Sequence, residues 1–345
     1  MTDVYLEPKT PLSTDDMAAL RASKTALCWK RAGDMPPHLR VDEGVCPNRE
    51  GRALWYSAVF PAQGAPLRGV VLFVHGLNEH SGRYFHVWEE LCAMGFGVIA
   101  YDLRSHGKTY MDVPKLRGHI NSFDAFINDT NDFLTFAKKN IYATMLGEMQ
   151  APEALPLVLL GFSMGTLVSV HTILSEQHTF AGVILAAPCV GVEKTPFLRL
   201  LTVVGSAVVA LAPNARTVPA VNEKWVCRDP LVGKDYDADP LTVRAQITSR
   251  TGKELQTFME KLEKEPRLDD PESSFGKLPI LFIMGSLDRV TNLPLATQFY
   301  ESIANKDKKF FLVHGSYHVV FEDLERENVM SEIRTWLHDR FPVLP

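Results

Sequence analysis

The stretch LVLLGFSMGTLVSVHTIL, residues 157–174, decides the fold of this chain. The four apolar residues at 157–160 are typical of a strand buried inside a parallel sheet, and apolar residues recur at helical spacing over 166–174. Between them stands GFSMG at 161–165, a G-x-S-x-G sequence in which small residues flank a sharply turned serine. The order of strand, tight turn and helix predicts a nucleophile elbow, which lifts the Ser163 hydroxyl above the sheet edge.

Strand patterns and helix patterns alternate along most of the chain. After a first strand at 53–60, the strand patterns are continuous apolar runs, which suit strands buried on both faces. The runs lie at 70–74, 98–101, 157–160, 183–186, 280–284 and 310–313, and the helix patterns at 84–94, 123–140, 166–174, 294–304 and 325–338. This alternation predicts an α/β protein with a mostly parallel, doubly wound sheet. In such sheets the functional site lies at the carboxyl ends of the strands.

Two segments stand outside the alternation. Residues 1–45 have few apolar residues and are predicted to form an N-terminal extension, whereas 46–188 and 252–345 form the α/β core. Residues 189–251 form a predicted, mainly helical insertion, the cap. Its apolar, uncharged stretch at 200–212 suits a buried helix or a lid helix with one face toward lipid. A membrane span is the third interpretation, although the stretch is shorter than the ~20 residues that a span needs.

Composition narrows the classes of function. The 345 residues carry a net charge of −5 and no dense Lys/Arg run, which argues against nucleic acid as a partner. The five cysteines, at positions 28, 46, 92, 189 and 227, lack C-x-x-C or metal-ligand spacing, so we predict reduced thiols, no metal and no cofactor. The N-terminus has no signal-peptide pattern, which predicts a cytoplasmic protein.

A serine nucleophile needs a base and a carboxylate, and the last two strand patterns supply both. A serine hydroxyl is a poor nucleophile until a histidine removes its proton, and a carboxylate then orients the histidine ring. Asp288 follows the run at 280–284, and His318 follows the run at 310–313, in the chain order expected for elbow enzymes. His314 is the alternative base, but it lies closer to the strand end and has less loop with which to reach Ser163.

The negative charge of a tetrahedral intermediate requires an oxyanion hole. The backbone N–H of Met164, at the start of the elbow helix, is one predicted donor. The second is predicted in the loop after the first buried strand, where Gly76 lets the backbone turn and the Leu77 N–H can face the site.

Six motifs in this order make the chain resemble one branch of a known superfamily. They are HGLNEHSGRY at 75–84, DLRSHG at 102–107, GFSMG at 161–165, YDADPL at 236–241, GSLDR at 285–289 and YHV at 317–319. Over roughly residues 51–337 the chain is similar to the monoacylglycerol lipase and lysophospholipase branch of the α/β-hydrolase superfamily. The resemblance implies the α/β-hydrolase fold and the same triad, Ser163, Asp288 and His318, with the same two oxyanion donors.

The resemblance also implies roles that the residues alone do not indicate. Glu79, Arg83 and Tyr236 match family residues near the glycerol headgroup, and the cap matches a region that forms the acyl tunnel and touches membranes. Several positions depart from the family pattern, among them residues 78 and 321. Asn78 replaces a usual glycine, and Phe321 stands where glyceride-specific members carry a second histidine, which widens the range of possible alcohols.

The leading hypothesis is a serine carboxylester hydrolase that cleaves single-chain lipid esters, converting monoacylglycerol to fatty acid and glycerol through an acyl-enzyme on Ser163. A lysophospholipase, a broad small-ester carboxylesterase and a peptidase are alternatives on the same fold. A non-catalytic ligand-binding protein is an alternative from another class. We further expect a cytoplasmic protein whose cap makes reversible contact with membrane surfaces.

Overall fold

The computed structural model describes residues 32–147, 154–191, 209–218 and 223–343, and these residues build an eight-stranded sheet. Its strand order is β1-β2-β4-β3-β5-β6-β9-β10, in which β1/β2 and β2/β4 pair antiparallel and all other neighbours pair parallel. The strands are β1 Arg40–Pro47, β2 Ala53–Phe60, β3 Gly69–Val74, β4 Phe96–Tyr101, β5 Leu157–Phe162, β6 Gly182–Ala186, β9 Ile280–Gly285 and β10 Lys308–Val313. The predicted mostly parallel, doubly wound sheet is therefore confirmed.

Helices cover both faces of the sheet. They are α1 Phe85–Ala93, α2 Asp124–Phe136, α3 Tyr142–Leu146, α4 Met164–Leu174, α5 Pro230–Ala238, α6 Ser249–Leu262, α7 Leu293–Ser302 and α8 Arg326–Arg340. Between α2 and α3 the chain continues as a π-helix, so the helical segment predicted to end at residue 140 extends to 146. Two apolar clusters pack on the opposite faces of the sheet, which explains why β3, β4, β5, β6 and β9 are buried at every residue.

Strand β1 lies in the segment that the sequence assigned largely to an N-terminal extension. It pairs with β2 along its whole length at the edge of the sheet, and the predicted boundary at residue 45 falls inside it. Its residues alternate between more and less exposed positions, and Val45 is 58% exposed. An edge strand with a solvated face carries few apolar residues, which is why no apolar run indicated it.

The cap contains more regular structure than the sequence indicated. The short strands β7 Arg216–Val218 and β8 Ile247–Thr248 pair antiparallel, α5 lies between them, and α6 crosses the predicted boundary at residue 251. Residues 200–208 of the apolar stretch lie outside the described residues. Residues 209–211 are helical, and Leu211 is 87% exposed. Within the described ranges, no helix combines the length and apolarity needed to cross a membrane.

Candidate active site

The turn between β5 and α4 presents Ser163 in a strained backbone conformation. Ser163 has φ 51° and ψ −123°, a backbone conformation that residues other than glycine rarely adopt. Glycine is required at positions 161 and 165 because a side chain there would collide with neighbouring atoms. A Cβ atom at Gly165 would overlap the Val74 carbonyl oxygen, and one at Gly161 would lie 2.5 Å from the Ser169 Oγ atom. The G-x-S-x-G sequence therefore folds as the predicted tight turn because no side chain fits at the positions two residues before and two residues after the serine.

Three side chains that are far apart in sequence form one hydrogen-bonded chain above the sheet edge. The Nε2 atom of His318 lies 3.0 Å from the Ser163 Oγ atom, and its Nδ1 atom lies 2.8 Å from Asp288 Oδ2. Asp288 stands in the loop after β9 and His318 in the loop after β10, as the sequence predicted. The alternative base, His314, is exposed to solvent, whereas His318 is 95% buried.

The environment of Asp288 keeps its carboxylate ionised and fixed. Its Oδ1 atom accepts the backbone N–H groups of Val290 and Thr291, and its Oδ2 atom accepts the Thr291 hydroxyl at 2.7 Å. Burial alone would raise the pKa of Asp288, but the neighbouring His318 and these hydrogen bonds outweigh it and hold the pKa below its usual value. An ionised Asp288 accepts the Nδ1–H of His318, which leaves the Nε2 atom facing Ser163 able to accept a proton.

The two predicted oxyanion donors lie beside Ser163 on the wall of one cavity. Leu77 and Met164 both line it, and Met164 is the first residue of α4, where an N–H has no partner within its own helix. The preceding peptide is held in place, because the Gly76 N–H donates to the Glu79 Oε1 atom at 2.6 Å. A Cβ atom at Gly76 would lie 3.2 Å from the Ser163 Cβ atom, so the backbone passes close to the serine.

The three residues predicted near a headgroup also line this cavity, but their polar atoms have partners within the protein. Arg83 is 1% exposed and forms an ion pair of 2.9 Å with Asp235, and Glu79 accepts the Tyr84 hydroxyl at 2.8 Å. Burial raises the pKa of Glu79, although the bonds from Tyr84 and Gly76 oppose that effect. The Tyr236 hydroxyl donates to a backbone carbonyl at 2.7 Å.

The cavity has a volume of about 790 Å³ and extends from Ser163 into the cap. Cap residues supply much of its apolar wall, among them Val226, Val232, Val243 and Ile247. Sequence reasoning missed these residues because the cap shows no strand–helix pattern from which to infer which side chains face inward.

Sequence reasoning also missed Asp323, which holds the loop that carries His318. The Asp323 side chain is fully buried, and its Oδ2 atom accepts the Tyr317 N–H at 2.6 Å. Its Oδ1 atom accepts a hydrogen bond of 3.0 Å from the Nε–H of Arg228, a cap residue. The next residue after the histidine, Val319, donates its N–H to the Val226 carbonyl of the cap. No motif marks Asp323, because a lone acidic residue five positions after a histidine has no chemical signature.

In the part of the chain that the structure describes, no group of three or more His, Cys, Asp or Glu side chains is arranged to hold a metal ion.

Comparison with known proteins places the chain among hydrolases. It is 25% identical to Phospholipase YtpA of Bacillus subtilis (strain 168) over 268 residues, which are 77% of this chain and 94% of that protein. It is 26% identical to the monoglyceride lipase of Rattus norvegicus over 299 residues, 86% of this chain and 90% of that one. The crystal structure of Paleococcus ferrophilus monoacylglycerol lipase matches with a TM-score of 0.65 and 27% identity, covering 83% of this chain and 99% of that one.

The family described as serine aminopeptidase, S33, matches residues 65–325, which is most of the described sheet together with the cap. The strand order, the elbow and this match agree with one another. The chain therefore belongs to the serine aminopeptidase S33 family of α/β-hydrolases.

Proposed function

We propose that the protein is a serine carboxylester hydrolase that cleaves single-chain lipid esters, with monoacylglycerol as the substrate class. The observation that carries this proposal is the chain of 3.0 Å and 2.8 Å contacts from Ser163 through His318 to Asp288, at the base of a cavity of about 790 Å³. Such a chain activates a hydroxyl for attack on a carbonyl carbon.

In the first half of the proposed reaction, the Ser163 Oγ atom attacks the ester carbonyl and its proton moves to the Nε2 atom of His318. The carbonyl oxygen takes up the negative charge and is stabilised by the N–H groups of Leu77 and Met164. The bond to the alcohol then breaks as His318 returns the proton to the leaving oxygen. Asp288 stabilises the protonated His318 ring throughout this half of the reaction.

In the second half, His318 removes a proton from water, and the resulting hydroxide attacks the acyl-enzyme. Collapse of the second tetrahedral intermediate releases the fatty acid and returns the proton to Ser163. The N–H groups of Leu77 and Met164 stabilise both tetrahedral intermediates, and His318 transfers the proton in both halves of the reaction. Loss of any of these groups is therefore expected to slow both acylation and deacylation.

The charge pairing of the arginines in the cavity supports a neutral headgroup over a phosphate. Five basic side chains line the cavity, Lys224, Lys234 and three arginines, and each arginine is paired with a carboxylate: Arg83 with Asp235, Arg228 with Asp323, and Arg244 with Asp237. A phosphate would have to compete with carboxylates that are already in place. Hydroxyl groups of a glycerol headgroup need no unpaired cation. The apolar cap wall favours an acyl chain, whose burial contributes ~0.8 kcal/mol per methylene.

Reversible membrane contact through the cap is a further part of this proposal. Leu211, at the end of the apolar stretch predicted to face lipid, is 87% exposed, and Trp225 of the cap is 38% exposed. Exposed apolar side chains on the cap suit an enzyme that collects its substrate from a lipid surface.

One experiment tests the proposed function. Purified wild-type protein and Ser163→Ala are compared on monoacylglycerol, lysophospholipid, short-chain esters and aminoacyl amides, together with labelling by a fluorophosphonate. We expect the wild type to cleave monoacylglycerol most efficiently and to be labelled, and the variant to fold but do neither. Full activity of Ser163→Ala would overturn the assignment of the nucleophile. Faster cleavage of lysophospholipid, or of an amide, would overturn the substrate class.

A further inference from the structure

The oxyanion loop, residues 75–79, is held by the cap. Asn78 has a positive φ of 65°, and its carbonyl oxygen accepts two hydrogen bonds. One comes from the Tyr236 hydroxyl at 2.7 Å and the other from the Val243 N–H at 2.9 Å. Both donors belong to the cap, whereas the acceptor belongs to the loop that follows β3. The turn after β3 is therefore fixed by residues about 160 positions later in the sequence.

The other end of the same loop is held from within. The Gly76 N–H donates to Glu79 at 2.6 Å, and the Gly76 backbone lies against Ser163. Leu77 thus stands between two fixed points, the Gly76 N–H on one side and the Asn78 carbonyl on the other. Only two peptide groups separate these points, so the direction of the Leu77 N–H depends on both.

The helix that carries Tyr236 is itself fastened to the segment following Leu77. Asp235 forms an ion pair of 2.9 Å with Arg83, and the Oδ2 atom of Asp239 lies 2.8 Å from the Nε2 atom of His80. All of these groups are at least nine-tenths buried. The end of α5 and this segment are therefore joined by several buried polar contacts, of which the hydrogen bond from the Tyr236 hydroxyl ends nearest in sequence to Leu77, at the Asn78 carbonyl.

We propose that Tyr236 is a positioning residue, whose hydroxyl holds the Asn78 carbonyl and thereby aims the Leu77 N–H at the developing oxyanion. This inference rests on the proposed function of Ser163 and Leu77. A tyrosine hydroxyl has one hydrogen to donate, and of its two carbonyl acceptors the Asn78 oxygen, at 2.7 Å, lies closer than the Val243 oxygen, at 3.2 Å. The cap thus completes the oxyanion hole in addition to walling the cavity.

The expected effect follows from the strictness of oxyanion geometry. Donors act at 2.7–3.1 Å, removal of a whole donor costs about 10²–10³ in kcat, and a 1 Å misplacement can cost about 10²-fold. In Tyr236→Phe the Val243 N–H still holds the Asn78 carbonyl. We therefore expect kcat to fall roughly 10- to 100-fold, with KM nearly unchanged.

The test compares Tyr236→Phe with wild type on two substrates that share an acyl chain, a monoacylglycerol and a p-nitrophenyl ester that lacks the glycerol headgroup. We expect kcat to fall by the same factor on both. A trifluoromethyl ketone, which forms an oxyanion adduct with Ser163, should lose affinity by a similar factor. The matched control is Tyr300→Phe, which also removes a hydroxyl that donates to a backbone carbonyl, here that of Lys308. This variant should leave kcat on both substrates unchanged.

Two results would overturn the positioning role. The first is a rise in KM for monoacylglycerol while kcat and KM for the p-nitrophenyl ester stay unchanged, which would make Tyr236 a headgroup contact. The second is wild-type kcat on both substrates. If Tyr236→Phe does not fold, Thr242→Val provides the same test, since the Thr242 hydroxyl holds the Tyr236 carbonyl at 2.6 Å. Loss of activity in Ser163→Ala, measured alongside, keeps the proposed function standing even when the positioning role is overturned.

Discussion

Two neighbouring buried histidines, one of them the first residue of the oxyanion loop, are expected to make the folded state sensitive to acid. His75 follows β3, His106 lies in the loop after β4, and their ring centroids are 5.5 Å apart. His75 Nε2 accepts the Leu103 N–H at 2.9 Å, while its Nδ1 donates to the Gly76 carbonyl at 2.7 Å. A ring that accepts at one nitrogen and donates at the other is neutral. Burial lowers the pKa of both histidines to about 3.

The sign of the effect follows from where each state binds protons. In the unfolded chain both histidines take up protons as the pH falls below ~6.5, whereas the folded protein resists until about pH 3. The free energy of unfolding therefore decreases as the pH falls between these values. Each histidine changes the folding equilibrium by about tenfold per pH unit. From about pH 6.5 to about pH 4.5 the pair lowers the free energy of unfolding by about 5 kcal/mol, which is comparable with a total stability of ~5–15 kcal/mol.

Other buried groups change the total but not the contribution of this pair. Burial lowers the pKa of His171 to about 4, which adds to the loss of stability in acid. The raised pKa of Glu79 acts in the opposite sense, since the folded state then binds a proton first. The lowered pKa of Asp288 takes effect only as the pH falls toward the ordinary carboxyl value of ~3.9. A variant is therefore needed to isolate one histidine.

His106→Asn isolates it, because an asparagine amide can replace the Nδ1 donor that lies 2.9 Å from the Arg104 carbonyl. The free energy of unfolding of wild type and variant is measured in urea from about pH 7 to about pH 4.5. On unfolding in acid the variant should take up about one proton fewer than the wild type, so its folding equilibrium should change about tenfold less per pH unit. The exposed His314→Asn is the control variant and should leave the slope unchanged. Equal slopes for wild type and His106→Asn, or stability that rises in acid, would refute the reasoning.

Three further predictions concern the elbow, the triad and the cap. Asp288→Asn should lower kcat on a p-nitrophenyl ester by about 10⁴-fold without unfolding the protein, because the amide no longer holds His318 in the required tautomer; a loss below tenfold would contradict this. Gly165→Ala should abolish the folded protein in thermal unfolding, because the new Cβ atom overlaps the Val74 carbonyl oxygen; a wild-type melting temperature would contradict this. Leu211→Asp should reduce binding to liposomes in flotation while leaving hydrolysis of a water-soluble ester intact; unchanged flotation would count against cap contact with membranes.

The parallel strands could be predicted to within two residues at each end, from β3 at 69–74 to β10 at 308–313, and all of them except the edge strand β10 are buried at every residue. A strand buried on both faces must be apolar at every position, so its pattern is local and independent of the rest of the fold. The positions of Ser163, Asp288 and His318 follow from the same locality. Each stands just after such a strand, and parallel strands bring their carboxyl ends to one edge.

The cap and the supports of the site depend on contacts that no local pattern carries. Tyr236 reaches Asn78 across 158 positions, and Arg228 reaches Asp323 across 95. Polar side chains in such contacts are ordinary in sequence and become specific only when the folded chain buries them together.

The sequence by itself therefore determined the parallel strands, the elbow and the three side chains of the proposed triad, because strand burial and turn sterics act between near neighbours. Only the tertiary structure decided which residues wall the cavity and hold the oxyanion loop. Hydrogen-bond geometry across the cap interface is a property of the packed chain, and the linear order of residues does not contain it.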